Sequence, residues 1–86
     1  MVITNEAKYA LEEILNEYGK EGIRFSTADD NSSVALSLDA PEATDRIEVI
    51  NGIQVAMDEQ ALVMLENVTL DVEETEEGLQ LILVGL

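Results

Sequence analysis

Cysteine, histidine and tryptophan are absent from the 86-residue sequence, which also contains only one proline and one phenylalanine. Without cysteine, no disulfide scaffold can form. Without cysteine or histidine, zinc and iron lose the thiolate and imidazole ligands that they favour. Catalysis loses its usual general base near neutral pH and its strongest nucleophile. We therefore expect no cofactor and no enzymatic activity, although an unrecognised site built from carboxylates or serines stays open as an alternative.

Positive charge is scarce as well. Four lysines and arginines stand against nineteen aspartates and glutamates, which gives a formal net charge of −15. Nucleic acids and anionic membranes bind basic surfaces, so we expect neither as a partner. The charge suits a basic protein partner, a hard cation or simple solubility. No stretch resembles a secretory signal or reaches membrane-spanning length, so the expected location is the cytoplasm.

The clearest periodic pattern lies near the start of the chain. Its apolar positions recur at helical spacing and comprise Ala7, Ala10, Leu11, Ile14, Leu15 and Tyr18. This spacing predicts an amphipathic helix, which needs a sheet to cover its apolar stripe. Thr4 or Asn5 can cap the first turn, and Gly19 can end the helix.

The remainder of the chain alternates with a period of two, which predicts β-strands. The alternating segments are residues 23–26, 34–38, 47–50, 53–57, 68–72 and 79–84. Asn51 and Gly52 predict a two-residue hairpin turn, because both positions then require a positive φ angle. Asp58 is expected to cap a short second helix that ends near Asn67.

This order of elements predicts a single α+β domain over residues 1–86. One long N-terminal helix would pack on a twisted, mostly antiparallel or mixed β-sheet or small sandwich, with a short second helix. No repeated strand–helix–strand alternation is present, so a doubly wound parallel sheet is not expected. The alternation points Val34, Leu36 and Leu38 inward. Ile82 and Val84 give the last strand a second apolar face, which suggests burial on both sides of the strand or a subunit contact and would allow a homodimer.

Two polar segments are candidates for binding a hard cation through oxygen ligands. One is a loop between two strands and the other is a glutamate-rich turn, and their candidate ligands are Asp29, Asp30, Asn31, Glu73, Glu74, Glu76 and Glu77. The loop begins with the spacing of a calcium-binding loop, but Val34 and Ala40 stand where that motif requires glycine and glutamate. Turn residues and solvated carboxylates explain both segments more simply, so no metal ligand is assigned.

Three further side chains carry expectations. Arg24 alternates with Ile23 and Phe25, so it lies on the side of its strand away from the predicted core. In so acidic a chain, we expect Arg24 to pair with a neighbouring carboxylate rather than to bind an anion. Tyr9 and Tyr18 flank the helix stripe and are expected to pack at its boundary.

Several short strings follow one another in a familiar order. Residues 3–7 read Ile-Thr-Asn-Glu-Ala, residues 22–25 read Gly-Ile-Arg-Phe, and residues 51–55 read Asn-Gly-Ile-Gln-Val. With the ungapped stretch 38–72, they resemble the HesB-like family, which has the fold of the A-type iron–sulfur carrier and scaffold proteins. The family opens with Ile-Thr-x-x-Ala before a helix, continues with Gly-Leu-Arg in a strand, and later carries Asp-Gly-Ile-x-Val-x-Val-Asp. The resemblance covers most of the chain and implies that fold.

The cluster ligands of the family have no counterpart in this sequence. Family carriers place one cysteine in a Gly-Cys-Ser-Gly-like loop and two more in a C-terminal Cys-Gly-Cys tail. The corresponding loop reads Asp-Asp-Asn-Ser-Ser at residues 29–33, and the sequence stops at Leu86, before such a tail. Carboxylates and hydroxyls do not replace thiolates on iron and sulfide. The resemblance therefore implies the fold and no ligand, as in a degenerate member of the family.

Three classes of function remain open. The first is a non-catalytic protein-binding or regulatory domain related to iron–sulfur cluster assembly, with a partner from that machinery. The second is a hard-metal binding domain that uses the carboxylates of the two polar segments. The third is an enzyme with an unrecognised site.

Overall fold

The first helix, α1 (Asn5–Tyr18), occupies the residues that the periodicity predicts. This computed structural model describes residues 1–28 and 33–86. At the start of α1, Thr4 Oγ1 accepts a hydrogen bond of 3.1 Å from the Ala7 backbone N–H. Gly19 ends the helix in the left-handed region, with a φ of 65°. With 14 residues, α1 is about 21 Å long. The prediction of a long helix is wrong, because Gly19 ends it after about four turns.

The described residues also form seven strands and a second short helix. They are β1 (Val2–Ile3), β2 (Gly22–Thr27), β3 (Val34–Ser37), β4 (Arg46–Ile50), β5 (Ile53–Met57), α2 (Glu59–Met64), β6 (Thr69–Thr75) and β7 (Gly78–Val84). Asp58 caps α2 as predicted, accepting a hydrogen bond from the Ala61 backbone N–H. The helix ends at Met64, slightly before the predicted boundary.

The strands divide into two mixed sheets. The three-stranded sheet has the order β1-β6-β7, and the four-stranded sheet has the order β3-β2-β5-β4. One parallel pair occurs in each, β1 with β6 and β2 with β5, and the other pairs are antiparallel. The predicted α+β class with a mixed sheet or small sandwich is therefore confirmed.

The predicted hairpin turn joins β4 to β5. Asn51 and Gly52 both have a positive φ, at 49° and 80°, as this turn requires. The Asn51 side-chain amide also donates hydrogen bonds to the Ile3 carbonyl, at 2.9 Å, and to Asn5 Oδ1, at 3.0 Å. The turn therefore also attaches the four-stranded sheet to the segment that leads into α1.

One apolar core joins the two sheets and both helices. α1 contributes the buried Ala7, Leu11 and Leu15, so the apolar stripe is covered as predicted. The strands and α2 contribute Ile3, Ile23, Phe25, Ile53, Val55, Met57, Ala61 and Leu70, and the connection between α2 and β6 contributes Leu65 and Val68. Each large side chain buried here is worth about 1.5–3 kcal/mol relative to exposure. Aliphatic packing therefore supplies most of the stabilisation.

The outer strands of the four-stranded sheet are less buried than their patterns indicate. Val34 and Leu38 pack against the core as predicted. Leu36 lies opposite the buried Phe25, but it remains 37% exposed, so its inward prediction is only partly correct. β3 is an edge strand, and it has a neighbouring strand on one side only. On the opposite edge, Val49 of β4 is 73% exposed.

Within residues 1–28 and 33–86, no helix combines the length and the apolar character needed to cross a membrane.

Candidate functional site

The connection between β2 and β3 is the first predicted site. Its candidate ligands Asp29, Asp30 and Asn31 lie outside the described residues. The strand ends that flank the connection are held together, because the Ala28 N–H donates a 3.0 Å hydrogen bond to the Ser33 carbonyl. The hydrogen bond supports the predicted role of this segment as a strand connection.

A polar network lies beside this connection, at the start of α2. Asp58 Oδ2 accepts hydrogen bonds from the Thr27 backbone N–H, at 2.9 Å, and from its hydroxyl, at 3.1 Å. Asp58 Oδ1 accepts from the Ala61 N–H at 2.7 Å. Burial alone would raise the pKa of Asp58, but these donors stabilise the carboxylate more strongly and lower its pKa. Because both oxygens have protein donors, Asp58 is a structural cap rather than an open metal ligand.

The glutamate-rich segment spans the end of β6 and the turn into β7. Glu73 lies opposite Gln80 and Glu74 lies opposite Leu79, and these adjacent strand residues point to opposite faces of the sheet. Glu76 and Glu77 are exposed in the turn. Across residues 1–28 and 33–86, no three Asp, Glu, His or Cys side chains form a group that could hold a metal ion. The described part of the chain therefore offers these glutamates as separate charges.

Arg24 forms the ion pair that its place in the strand predicts. Its Nε donates to Asp45 Oδ2 at 2.6 Å, and its Nη2 donates to Asp45 Oδ1 at 3.1 Å. The Asp45 side chain is 0% exposed and that of Arg24 is 12% exposed. The guanidinium hydrogen bond holds the pKa of Asp45 below its usual range and raises the pKa of Arg24. Nη2 also reaches Glu42 Oε2 at 3.3 Å, so the guanidinium serves the protein rather than an external anion.

An open apolar groove lies between α1 and the β6–β7 hairpin, and it was missed by the sequence reasoning. It has a volume of ≈ 490 Å³ and is lined by Glu6, Tyr9, Ala10, Glu13, Ile14, Val72 and Leu79. Tyr9 and Leu79 are each 66% exposed. The expectation that Tyr9 packs at the helix boundary is therefore wrong. Tyr18 is similarly exposed.

The sequence did contain a signal for this groove, because the β6–β7 hairpin has more apolar positions on one face than the core covers. Val72, Leu79 and Leu81 lie on the face of the hairpin that continues from the buried Leu70. Along that face, burial decreases from Leu70 to Leu79. Alternation indicates which face a residue belongs to, but it does not indicate how far along the face the core extends.

Two smaller grooves lie elsewhere on the described surface. One, of ≈ 360 Å³, is lined by Met1, Glu48, Met57, Leu62, Val63, Leu65 and Glu66. The other, of ≈ 290 Å³, lies beside the β2 and β5 ends and includes Lys20, Glu21, Asp39 and Gln54. Neither brings together groups with an evident chemical task.

The donor set does not fit an iron–sulfur cluster. Clusters are held by cysteine thiolates, with histidine as the main substitute, and the 86 residues contain neither. The carboxylate of Asp58, which is bonded to Thr27 at the end of β2, already accepts hydrogen bonds from the protein on both oxygens.

Comparisons with known proteins identify the fold. No protein-family model matches the sequence, and no curated protein matches it. Among solved structures, the chain is similar to the crystal structure of IscA with its [2Fe-2S] cluster, with 21% identity, a TM-score of 0.76, and coverage of 95% of this chain and 81% of that one.

Two further structures are similar over nearly the whole chain. The crystal structure of Escherichia coli SufA, a protein involved in the biosynthesis of iron–sulfur clusters, is 16% identical with a TM-score of 0.71, over 95% of this chain and 76% of that one. The solution NMR structure of a protein from Aquifex aeolicus is 16% identical with a TM-score of 0.66, over 98% of this chain and 89% of that one. The chain therefore has the fold of IscA and SufA, which confirms the HesB-like fold predicted from its sequence.

Proposed function

We propose that this chain is a degenerate HesB-like protein that acts by binding another protein, in a process related to iron–sulfur cluster assembly. In this role it has no cluster ligands and no catalytic site. The carrying observation is the combination of a fold shared with IscA and SufA and a sequence without cysteine or histidine. A protein that keeps this fold without the cluster ligands can still act through its surfaces, by binding another protein.

The loop between β2 and β3 supports this proposal independently of where the chain ends. In the family that the sequence resembles, this loop carries the first cluster cysteine. Here residues 29–33 contain only aspartate, asparagine and serine. The hydroxyl and carboxylate oxygens of these residues are hard ligands, whereas iron–sulfur clusters require soft thiolates. The loss of that position weakens any cluster site, whatever further ligands exist.

The absence of an enzymatic role is part of the same proposal. Among the described residues, the carboxylates with shifted pKa values are Asp45 and Asp58, and they are held by Arg24 and by backbone donors. Perturbed pKa values often mark catalytic sites, but here both groups have structural partners and lowered, not raised, pKa values. A general acid that works near neutral pH requires the opposite shift.

Anaerobic reconstitution tests the missing cluster. The purified chain would be incubated with ferrous iron and sulfide, with IscA treated in parallel as a positive control. We expect IscA to acquire the absorbance of a cluster and this chain to remain colourless after desalting. Stoichiometric iron and sulfide retained by this chain would contradict the proposal.

Affinity capture tests the partner. The tagged chain would be used on a native lysate of its own source, with an unrelated protein of similar net charge as the control bait. We expect proteins of iron–sulfur cluster assembly to be enriched over the control by quantitative mass spectrometry. Equal recovery on both baits would mean that charge alone explains the binding, and it would contradict the proposed partner from iron–sulfur cluster assembly.

A further inference from the structure

The groove between α1 and the β6–β7 hairpin is apolar at its floor and acidic at its rim. Ala10, Ile14 and Val72 are partly buried, and Tyr9 and Leu79 extend into solvent. Glu6 and Glu13 line the helix side of the same groove. Apolar side chains that rest half-covered in a concave surface are typical of a docking site.

The hairpin side of the groove is acidic as well. Glu74 lies directly opposite Leu79 in the strand pairing, so the two side chains share one face of the sheet. Lys8 lies instead beside the Gly52 turn, where it pairs with Glu12 on the same helix at 3.8 Å. As far as residues 1–28 and 33–86 define it, the lining of the groove contains glutamates and no basic residue. A ligand that fills the groove therefore meets a negative rim on both sides.

This charge pattern selects the occupant. A second copy of the chain would bring another net charge of −15 and a second acidic rim against the first, which is unfavourable. A nucleic acid or an anionic lipid would be repelled in the same way. A segment with apolar residues on one side and lysine or arginine beside them would pack against the apolar floor and form ion pairs with the acidic rim.

We propose that this groove, defined by Tyr9, Ala10, Ile14, Val72 and Leu79, is the docking site for a basic amphipathic helix of a partner protein. The inference rests on the proposed function, in which the chain acts by binding another protein. The partner's aliphatic or aromatic side chains lie between Tyr9 and Leu79. Its basic residues pair with Glu6, Glu13 and Glu74.

A peptide titration tests this chemistry without knowledge of the partner. The probe is a synthetic amphipathic peptide of about 14 residues, with leucine along one face and lysine elsewhere. Two control peptides replace either the leucines with serine or the lysines with glutamate. Binding to the ¹⁵N-labelled full chain is followed by NMR. We expect shifts of the backbone amides to concentrate in residues 6–14 and 72–79, and both control peptides to bind far more weakly.

Matched variants separate the groove from general charge attraction. Leu79→Ser removes an exposed apolar side chain of the groove, and Val49→Ser removes one of similar exposure on β4 of the other sheet. Both variants should fold, because neither side chain belongs to the core, and their NMR spectra verify this. We expect Leu79→Ser to weaken peptide binding by about ten-fold or more and Val49→Ser to leave it unchanged.

Three outcomes would overturn the inference. They are equal binding by both variants, equal binding of the peptide without leucine, and self-association of the chain that Leu79→Ser abolishes. Affinity capture from lysate distinguishes a failure of the docking-site inference from a failure of the proposed function. If the Leu79→Ser variant still captures iron–sulfur assembly proteins, the groove is not the docking site and the proposed function stands. If the peptide binds in the groove but the wild-type chain enriches none of those proteins, the proposed function is contradicted and the groove remains a docking site for basic helices.

Discussion

Asp58 and Thr27 join the beginning of α2 to the end of β2. One carboxylate oxygen accepts both the backbone N–H and the hydroxyl of Thr27, while the other caps the helix through Ala61. The same side chain therefore satisfies donors from two elements that are separated by about thirty residues in sequence, and the local helix signal at Asp58 also has a long-range function.

Replacement of Asp58 with alanine is the first test of this arrangement. Loss of a helix cap costs about 0.5–2 kcal/mol, and the unpaired Thr27 donors add about 1–3 kcal/mol. We expect the free energy of unfolding to fall by about 2–4 kcal/mol in urea titrations followed by circular dichroism. Asp39→Ala, at an exposed loop position, is the control and should change it by less than about 0.5 kcal/mol. Equal effects of the two variants would contradict the structural role of Asp58.

The Arg24–Asp45 pair predicts a pH dependence with a defined sign. Because the pKa of Asp45 is lowered in the folded state, the pair stabilises the fold above the unfolded pKa of about 3.9. That stabilisation is lost as the pH falls below this value and through the folded pKa. Asp45→Asn leaves the largely buried Arg24 with only the exposed carboxylate of Glu42 as an ionic partner, so we expect a loss of about 2–4 kcal/mol at neutral pH.

The difference in unfolding free energy between wild type and Asp45→Asn is the quantity to measure. It should be constant from about pH 5 upward and shrink below about pH 4, whereas the repulsion among the other carboxylates largely cancels in the difference. Glu42→Gln removes the exposed partner of the same arginine, and an effect within about 1 kcal/mol is expected. A difference that grows on acidification would contradict the sign of the Asp45 shift.

The net charge of −15 predicts stabilisation by salt. Raising NaCl from about 0.1 M to about 1 M shortens the Debye length from about 10 Å to about 3 Å and screens the repulsion among the carboxylates. We expect Tm to rise with salt. The variant Glu76→Gln/Glu77→Gln, which removes two exposed charges, should show a smaller rise. A fall of Tm with salt would show that attractive pairs dominate instead.

Gly22 predicts a steric effect between two parallel strands. A Cβ atom at Gly22 would lie 2.5 Å from the backbone oxygen of Gln54 on β5, so Gly22→Ala must push β2 and β5 apart. We expect destabilisation by about 1–3 kcal/mol in urea unfolding. Ser26→Ala, further along β2, is the control and should have a much smaller effect. An unchanged stability of Gly22→Ala would show that the strands separate without cost.

The glutamate-rich turn predicts weak, non-specific cation binding. Glu73 and Glu74 point to opposite faces of their strand, so the segment supplies no converged ligand set. Calorimetry with calcium, magnesium, manganese and ferrous iron should therefore show no saturable heat, in the wild type and in Glu76→Gln/Glu77→Gln alike. A saturable isotherm that the double substitution removes would establish the hard-metal alternative. A saturable isotherm that survives it would direct attention to residues 29–31.

Local patterns were sufficient to predict most of the elements. α1, the Asn51–Gly52 turn and the Asp58 cap each depend on neighbouring residues whose spacing and backbone preferences act within a few positions. The prediction that α1 is long was wrong, although Gly19 was recognised in the sequence as the residue that ends it. The division of the strands into two sheets, with β1 beside β6, could not be predicted in the same way because it depends on pairings between distant segments.

Composition alone establishes that these residues offer no thiolate or imidazole to a metal, and periodicity alone establishes an aliphatic helix-and-sheet scaffold. Tertiary packing decides which carboxylates are buried, as at Asp45, and which apolar side chains stay exposed, as at Tyr9 and Leu79. The physical reason is that periodicity sets the direction of a side chain relative to its own helix or strand. Its exposure depends on whether another element, from elsewhere in the chain, lies over it.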